Sequence, residues 1–355
     1  MSFTQQEIQR AGLASLNDYM RNTPIDQIAV ERPFLRKLYT MKKSFSGGKQ
    51  YVVENLRYRY QSNFQFYRGD QQVSYNKRST VKHAQFEWTS CHDGYSLSED
   101  DFFQNGIVVA DSKPKNASDA ERLQLYNLFT ENNEVLREGF EEAFDQALMR
   151  DGTQDDEAIA GLDHLIPVAT GATVGTIDSS SDTWWESNRS LSVAQANLIN
   201  TMEAQWRKCV RNGGRPDFIM AGSNYIDDFR AAALASSGGI QRYTVVNTTG
   251  QQVALDPSVG PVQGVETGLH FQNVPIVWNP VFEDLDALES PTHAWEDRCY
   301  MINCKHVRLR PAEGHDMVTR NPPRVYDRYT YYWGLTWKGA ICTSRRNAHS
   351  LITLD

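Results

Sequence analysis

Hydrophobic and polar positions change rhythm three times along the chain. Within the first 45 residues, Leu13, Leu16, Tyr19 and Met20 lie at helical spacing, and Phe34, Leu35 and Leu38 repeat that spacing after Pro33. Breaks at Pro24 and Pro33 keep both stretches short, and too few apolar residues fall here for an independent core. The pattern predicts an extended N-terminal arm over residues 1–45, with short amphipathic helices docking on another surface.

Over residues 49–88 the period becomes two. Val53, Leu56, Tyr58, Tyr60, Phe64 and Phe66 precede Gly69-Asp70, and Val73, Tyr75, Val81 and Phe86 follow it, which predicts a long β-hairpin. Arg57 and Arg59 alternate with the tyrosines, and Arg68, Lys77, Arg78 and Lys82 make the tip basic. A two-stranded ribbon is marginal alone in water, so it belongs either to a sheet of its own domain or to an arm lying on a neighbouring subunit.

A helix follows over 118–150. The capping-box residues Ser118 and Glu121 open it after Pro114, Asp151-Gly152 closes it, and Leu125, Leu128, Phe129, Leu136, Phe140, Ala143, Phe144, Ala147 and Leu148 mark one face. Its length is roughly 50 Å at about 1.5 Å per residue. The outer face carries Glu131, Glu134, Glu138, Glu141, Glu142 and Asp145 and reads as solvated. Beyond a Gly- and Thr-rich stretch, the pattern predicts helices over 192–212 and 224–235 and strands over 218–221, 274–278, 299–309 and 329–341. The class is α+β, without internal repeats.

Composition narrows the function. The 355 residues are 40% hydrophobic and 23% charged, enough for a sizeable core and incompatible with disorder or a fibrous repeat. Length fits about two domains at ~150 residues each, or one elaborated domain. Acidic residues outnumber basic ones 44 to 36, giving −8, which argues against a duplex-DNA binder relying on phosphate neutralisation. The start lacks a basic leader, and the longest uncharged stretch, 165–177, is broken by Pro167, Gly171 and Gly175, so neither a signal peptide nor a membrane span is expected. Five cysteines without CxxC spacing predict neither a disulfide framework nor a zinc knuckle, and suit a reducing site of synthesis. Arg outnumbers Lys 25 to 11 beside 16 Tyr and 8 Trp, the bias of a surface that is extensively contacted or of a lineage that prefers Arg.

No phosphate-cradling, dinucleotide, zincin, serine-elbow or EF-hand motif occurs. Asp151, Asp155, Asp156 and Glu157 offer oxygen ligands for a divalent cation, or simply end a helix in solvent. The eight histidines (83, 92, 164, 270, 293, 306, 315 and 349) never fall at metal-ligand spacing. Cys299, Cys304 and His306 are possible ligands, but a strand over 299–309 would place the two thiols on opposite faces, as buried apolar groups. Arg57, Tyr58, Arg59 and Tyr60 with Phe64 and Phe66 suit either stacking on single-stranded nucleic acid or protein contact. Alternation separates the arginines from the tyrosines, which favours protein contact.

The succession of a basic hairpin, a long acidic helix and the segment DGTQDDEAIAGLDHLIPVATGATVGTIDSSSDTWWESN resembles the major capsid proteins of tailed bacteriophages with the Hong Kong 97-type fold. Its most specific residues are Gly161-Leu162, Leu165-Ile166-Pro167, Thr173 through Asp178, Trp184-Trp185 and Asn188. The resemblance implies an N-arm (1–45), an E-loop with flanking strands (46–108), a peripheral domain (109–190) with a spine helix (118–150), an axial domain (191–317) and strands returning to the peripheral domain (318–355). It implies self-assembly into pentamers and hexamers of an icosahedral head around double-stranded DNA, without enzymatic activity, cofactor or membrane. A portal, a possible decoration protein and, since only about 45 residues precede the E-loop, a separate scaffolding protein are the implied partners. The particle would be a virion assembled in the host cytoplasm, without covalent cross-links. Arg57, Arg59, Arg68, Lys77 and Arg78 on the E-loop are expected to meet Glu138, Glu141, Glu142 and Asp145 on a neighbour's spine. The alternatives are a cellular nanocompartment shell and a metal-dependent hydrolase using Asp151, Asp155 and Asp156.

Overall fold

A computed structural model describes residues 31–47, 50–104, 119–211, 213–235, 266–289, 291–322 and 329–355. In chain order the elements are helix α1 (Pro33–Thr40), strands β1 (Tyr51–Arg57), β2 (Val81–Glu87) and β3 (Thr89–Ser98), and helices α2 (Glu99–Gln104), α3 (Asp119–Met149) and α4 (Leu162–Leu165). Two-residue strands β4 (Thr173–Val174) and β5 (Ile177–Asp178) lead to β6 (Asn188–Val193), α5 (Leu198–Arg211), β7 (Phe218–Ala221) and α6 (Ser223–Ala235). Then come β8 (Glu266–Phe271), β9 (Val274–Trp278), α7 (Val281–Leu288), β10 (Arg298–Ile302), β11 (Val307–Pro311), β12 (Val318–Arg320), β13 (Thr330–Thr343) and β14 (Ser350–Leu354). The arm helix expected around Leu13, and Pro114 and Ser118 of the capping box, lie outside the described residues.

Six strands form one sheet in the order β6-β14-β10-β7-β9-β8. Every residue of β7, β10 and β14 is buried, as a strand covered on both faces requires. On one face Met202 and Trp206 of α5 and Tyr225, Ile226 and Phe229 of α6 pack with Ile219, Cys299 and Ile352. On the other, Phe282 of α7 lies 6.0 Å from Tyr300 and 5.6 Å from Trp295.

The second sheet is organised by β13. Along one edge β3 pairs with it from Thr330↔Ser98 to Gly339↔Thr89; along the other, β12 takes Gly334 to Thr336 and β11 takes Gly339 to Thr343. Helix α3, 31 residues long, packs against β13 and β3. Leu136, Phe140, Phe144 and Leu148 recur every four residues and are buried, and the ring centroids of Phe144 and Trp337 are 4.7 Å apart, those of Phe129 and Trp333 4.9 Å. The second arm stretch predicted from Phe34, Leu35 and Leu38 is α1, with all three residues buried, and it docks on α3 and β11 of its own chain.

Two predicted elements are corrected. The strand expected over 299–309 is two strands in different sheets, separated by a turn in which the Asn303 side chain accepts the Lys305 amide and Asp217 accepts the Cys304 amide. Cys299 and Cys304 therefore do not share a strand. Both are buried, and burial pushes the Cys299 thiol up to about 12. The helix expected from residue 192 begins at Leu198, because Ser192 sits at φ 50°, its amide donates to Thr353 Oγ1, and Val193 pairs with Leu354.

The short loop between β13 and β14 is tied by His349, whose Nδ1 accepts the Asn303 amide, leaving the proton on Nε2 facing Thr343. Burial pulls this imidazole down to about 3, so below pH ~6.5 the unfolded chain binds a proton that the folded one does not. Stability should fall with acidification between pH ~6.5 and ~3 by about 1.4 kcal/mol per unit from this residue, and denaturant titrations of His349→Gln should show a shallower slope. Trp337→Ala, which removes the indole under α3, should cost about 3–5 kcal/mol in the same assay.

Candidate intersubunit surface

The predicted hairpin is a regular ladder only at its root, where β1 and β2 pair from Tyr51↔Glu87 to Arg57↔Val81. Beyond it, residues 61–79 are bridged mainly by side chains. Asn63 and Gln65 donate to the Ser74 carbonyl, Gln65 accepts the Ser74 amide, and Gln61 accepts the Ser79 amide. Gln61, Asn63 and Gln65 are half-buried against the opposite arm, while Tyr60, Phe64, Phe66 and Tyr75 face solvent, with Tyr75 and Phe66 each 91% exposed. The chain reverses at Gly69, at φ +62°, in the expected turn. Arg57, Arg59, Arg68, Lys77 and Arg78 are all exposed, and none has a carboxylate partner among the described residues. Lys82, expected with the tip cations, stands instead at the root.

That root is clamped. Lys82 pairs with Asp182, whose carboxyl also accepts the Trp184 indole N–H; these two bonds hold its pKa below the usual range. Tyr58 lies 5.4 Å from the Trp184 ring. The β4–β5 hairpin presses on β2: the Gln85 amide donates to the Gly175 carbonyl, and the buried Trp185 indole donates to the Val174 carbonyl. Gly175 is at φ +61°, and a Cβ there would lie 3.0 Å from that of Ala84.

The other residues carrying the resemblance join this clamp to the end of α3. A Cβ on Gly161 would fall 2.4 Å from the Leu148 carbonyl, so α4 touches the helix end backbone to backbone. Leu162, Leu165 and Ile166 are fully buried, the Leu165 carbonyl accepts Arg346 Nε, and Asn188 donates to the Asn347 carbonyl.

The acidic face of α3 differs from the expectation. Glu131 and Glu134 are exposed, but Arg32 lies 3.0 Å from Glu138 and 3.9 Å from Glu142, and Arg137 pairs with Glu141. Asp145 is fully buried and takes no place on an outer face. Periodicity counted one wall for the helix, the second sheet, whereas α1 supplies another. Asp145 precedes Leu148 and Met149 by three and four positions, and that spacing was the available signal.

Asp151 and Asp155 serve as turn acceptors, taking the amides of Thr153 and Glu157. Among the described residues no group of three His, Cys, Asp or Glu side chains is placed to hold a metal ion. No described helix is long and apolar enough to cross a membrane.

No protein-family model matches the sequence, and no curated protein matches it. Solved structures do. A chain of the cyanophage A-1(L) capsid asymmetric unit superposes with TM-score 0.59 at 12% identity over 94% of this chain and 95% of that one. The capsid of Myoviridae phage XM1 gives 0.55 at 11% over 94% and 95%. The chain has a phage-capsid fold. A chain of Microbacterium phage Oxtober96 matches at 0.53 and 9% identity over 96% and 98%.

Gly175→Ala should weaken the clamp by about 1–2 kcal/mol through left-handed backbone strain. Faster tryptic cleavage at Arg57 and Arg59, with a lowered Tm, is the expected reading.

Proposed function

We propose that the chain is a structural coat subunit that assembles with copies of itself into pentamers and hexamers of a closed phage head around double-stranded DNA. The observation that carries this reading is the match to capsid chains over at least 94% of the sequence, together with a projecting hairpin of exposed cations and aromatics. In this reading residues 1–45 are the N-arm, 46–108 the E-loop with its flanking strands, 109–190 the peripheral domain with α3 as spine helix, 191–317 the axial domain and 318–355 the strands returning to the peripheral domain. No catalytic residue, metal or cofactor has a part in it. A separate scaffolding protein, a portal and a decoration protein are the proposed partners, and assembly in the host cytoplasm leads to the virion.

Rotations that close produce rings, and a shell with two ring sizes needs a constant body with adaptable extensions. The clamped root and the side-chain-bridged arms meet that need. Arg57, Arg59, Arg68, Lys77 and Arg78 reach carboxylates of a neighbouring copy, with Glu138, Glu141 and Glu142 as acceptors that share their charge with Arg32 and Arg137. Asp145 drops out because it is buried within its own chain. Each exposed pair contributes about 0.2–1 kcal/mol, so the exposed aromatics and the repetition of contacts carry most of the energy. The net charge of −8 suits a wall past which packaged DNA slides without sticking.

The wild-type protein, alone or with its scaffold, should sediment as rings or round shells visible by electron microscopy. Arg59→Glu with Arg78→Glu should abolish the fast fraction while leaving the far-ultraviolet circular dichroism and Tm of the subunit unchanged. Normal shells from that double variant would remove these cations from the contact.

A further inference from the structure

The contact between α1 and α3 contains charges that no surface role requires. Arg32, immediately before α1, is 8% exposed and divides its guanidinium between Glu138 and Glu142, with Nε left without a hydrogen-bond partner. Asp145 lies beneath the first turn of α1 at 0% exposure, and neither carboxyl oxygen has a well-formed hydrogen bond. The surrounding charges do not favour a further anion. From α3 come Glu138, Glu141 and Glu142, with Arg137 taken by Glu141. From α1 and its flanks come Arg32, Arg36 paired with Glu31, and Lys42 paired with Asp316. Tyr39, with its hydroxyl buried and unpartnered, is raised by burial first and then by Glu141, Asp316 and Asp145.

An uncharged carboxylic acid tolerates such a place, whereas an ionised one demands water or a full partner. We propose that the α1–α3 contact is a proton-operated clasp, closed while Asp145 carries its proton and loosened when that carboxyl ionises.

Burial raises Asp145 to about 7, against the opposing pull of Arg32 and the Leu35 amide. A solvated aspartate titrates near 4, so between pH ~4 and ~7 the docked state holds a proton that the released state lacks. The opening equilibrium therefore rises about tenfold per pH unit across that window and levels off above it. Docking is tightest in acid, the reverse of the dependence expected from a salt-bridged carboxylate. The inference stands on the α1–α3 geometry and does not require the shell reading.

The test is amide hydrogen exchange of the α1 backbone in the full-length protein between pH 5 and 8, each rate divided by its intrinsic value. Wild type should show the opening constant of α1 rising by roughly tenfold to a hundredfold from pH 5 to 7 and then flattening. Asp145→Asn, a neutral carboxamide of the same shape, should hold the constant flat at the low-pH value. Arg32→Gln, which removes the one cation that faces the carboxyl among the described residues, should move the midpoint to higher pH. A flat wild-type profile, or the same rise in Asp145→Asn, overturns the proposal. Should Asp145→Asn fail to fold, an unmoved midpoint in Arg32→Gln overturns it instead.

Discussion

The packing of α3 along β13 is the contact on which the remaining arrangement depends. An isolated helix gains little from its own hydrogen bonds, so a rod of 31 residues persists only where one side is buried along much of its length. The row Leu136, Phe140, Phe144 and Leu148 meets Trp337 and its neighbours, and β13 in turn is paired on both edges. Only Trp88 separates β2 from β3, so the hairpin leaves the body beside the strand that braces the helix. Rod and projecting arm thus share one support.

Around this support the chain distributes rigidity unevenly. Backbone ladders and indoles hold the hairpin root, and side-chain amides bridge the arms above it. Buried polar groups are concentrated where elements from distant sequence converge: Arg298 bonds Asp163 at the junction of β10 with α4, and Arg346 bonds the Leu165 carbonyl. Such bonds are costly to leave unmade, so they tie segments to one register more firmly than apolar contact does.

Much of this was legible in the amino-acid order, and the misreadings have physical reasons. Strands 218–221 and 274–278 were read to the residue because their apolar runs are bounded by Pro216, Asn279 and Pro280. The break between β10 and β11 escaped because its turn is fixed partly by Asp217, 87 positions away. Hairpin cations and the reversal at Gly69 were visible, but period two does not tell a backbone ladder from one made of Asn63, Gln65 and Ser74 side chains. Lys82 looked like one more tip cation, since nothing local reveals Asp182. Asp145 was assigned to solvent because helical periodicity does not count how many neighbours a helix will have.

The place of β14 has a bearing on biosynthesis. It comes last among the strands, yet it lies inside the six-stranded sheet between β6 and β10, parallel to the first and antiparallel to the second. Until translation has passed residue 354, β6 has no partner and β10 has an open edge, so the nascent chain cannot complete this core. Helix α3 and the hairpin likewise leave the ribosome well before β13, the strand that braces the helix, has been made. A chain stopped before residue 350 would keep β10, β7, β9 and β8 side by side but leave β6 without its neighbour in the sheet.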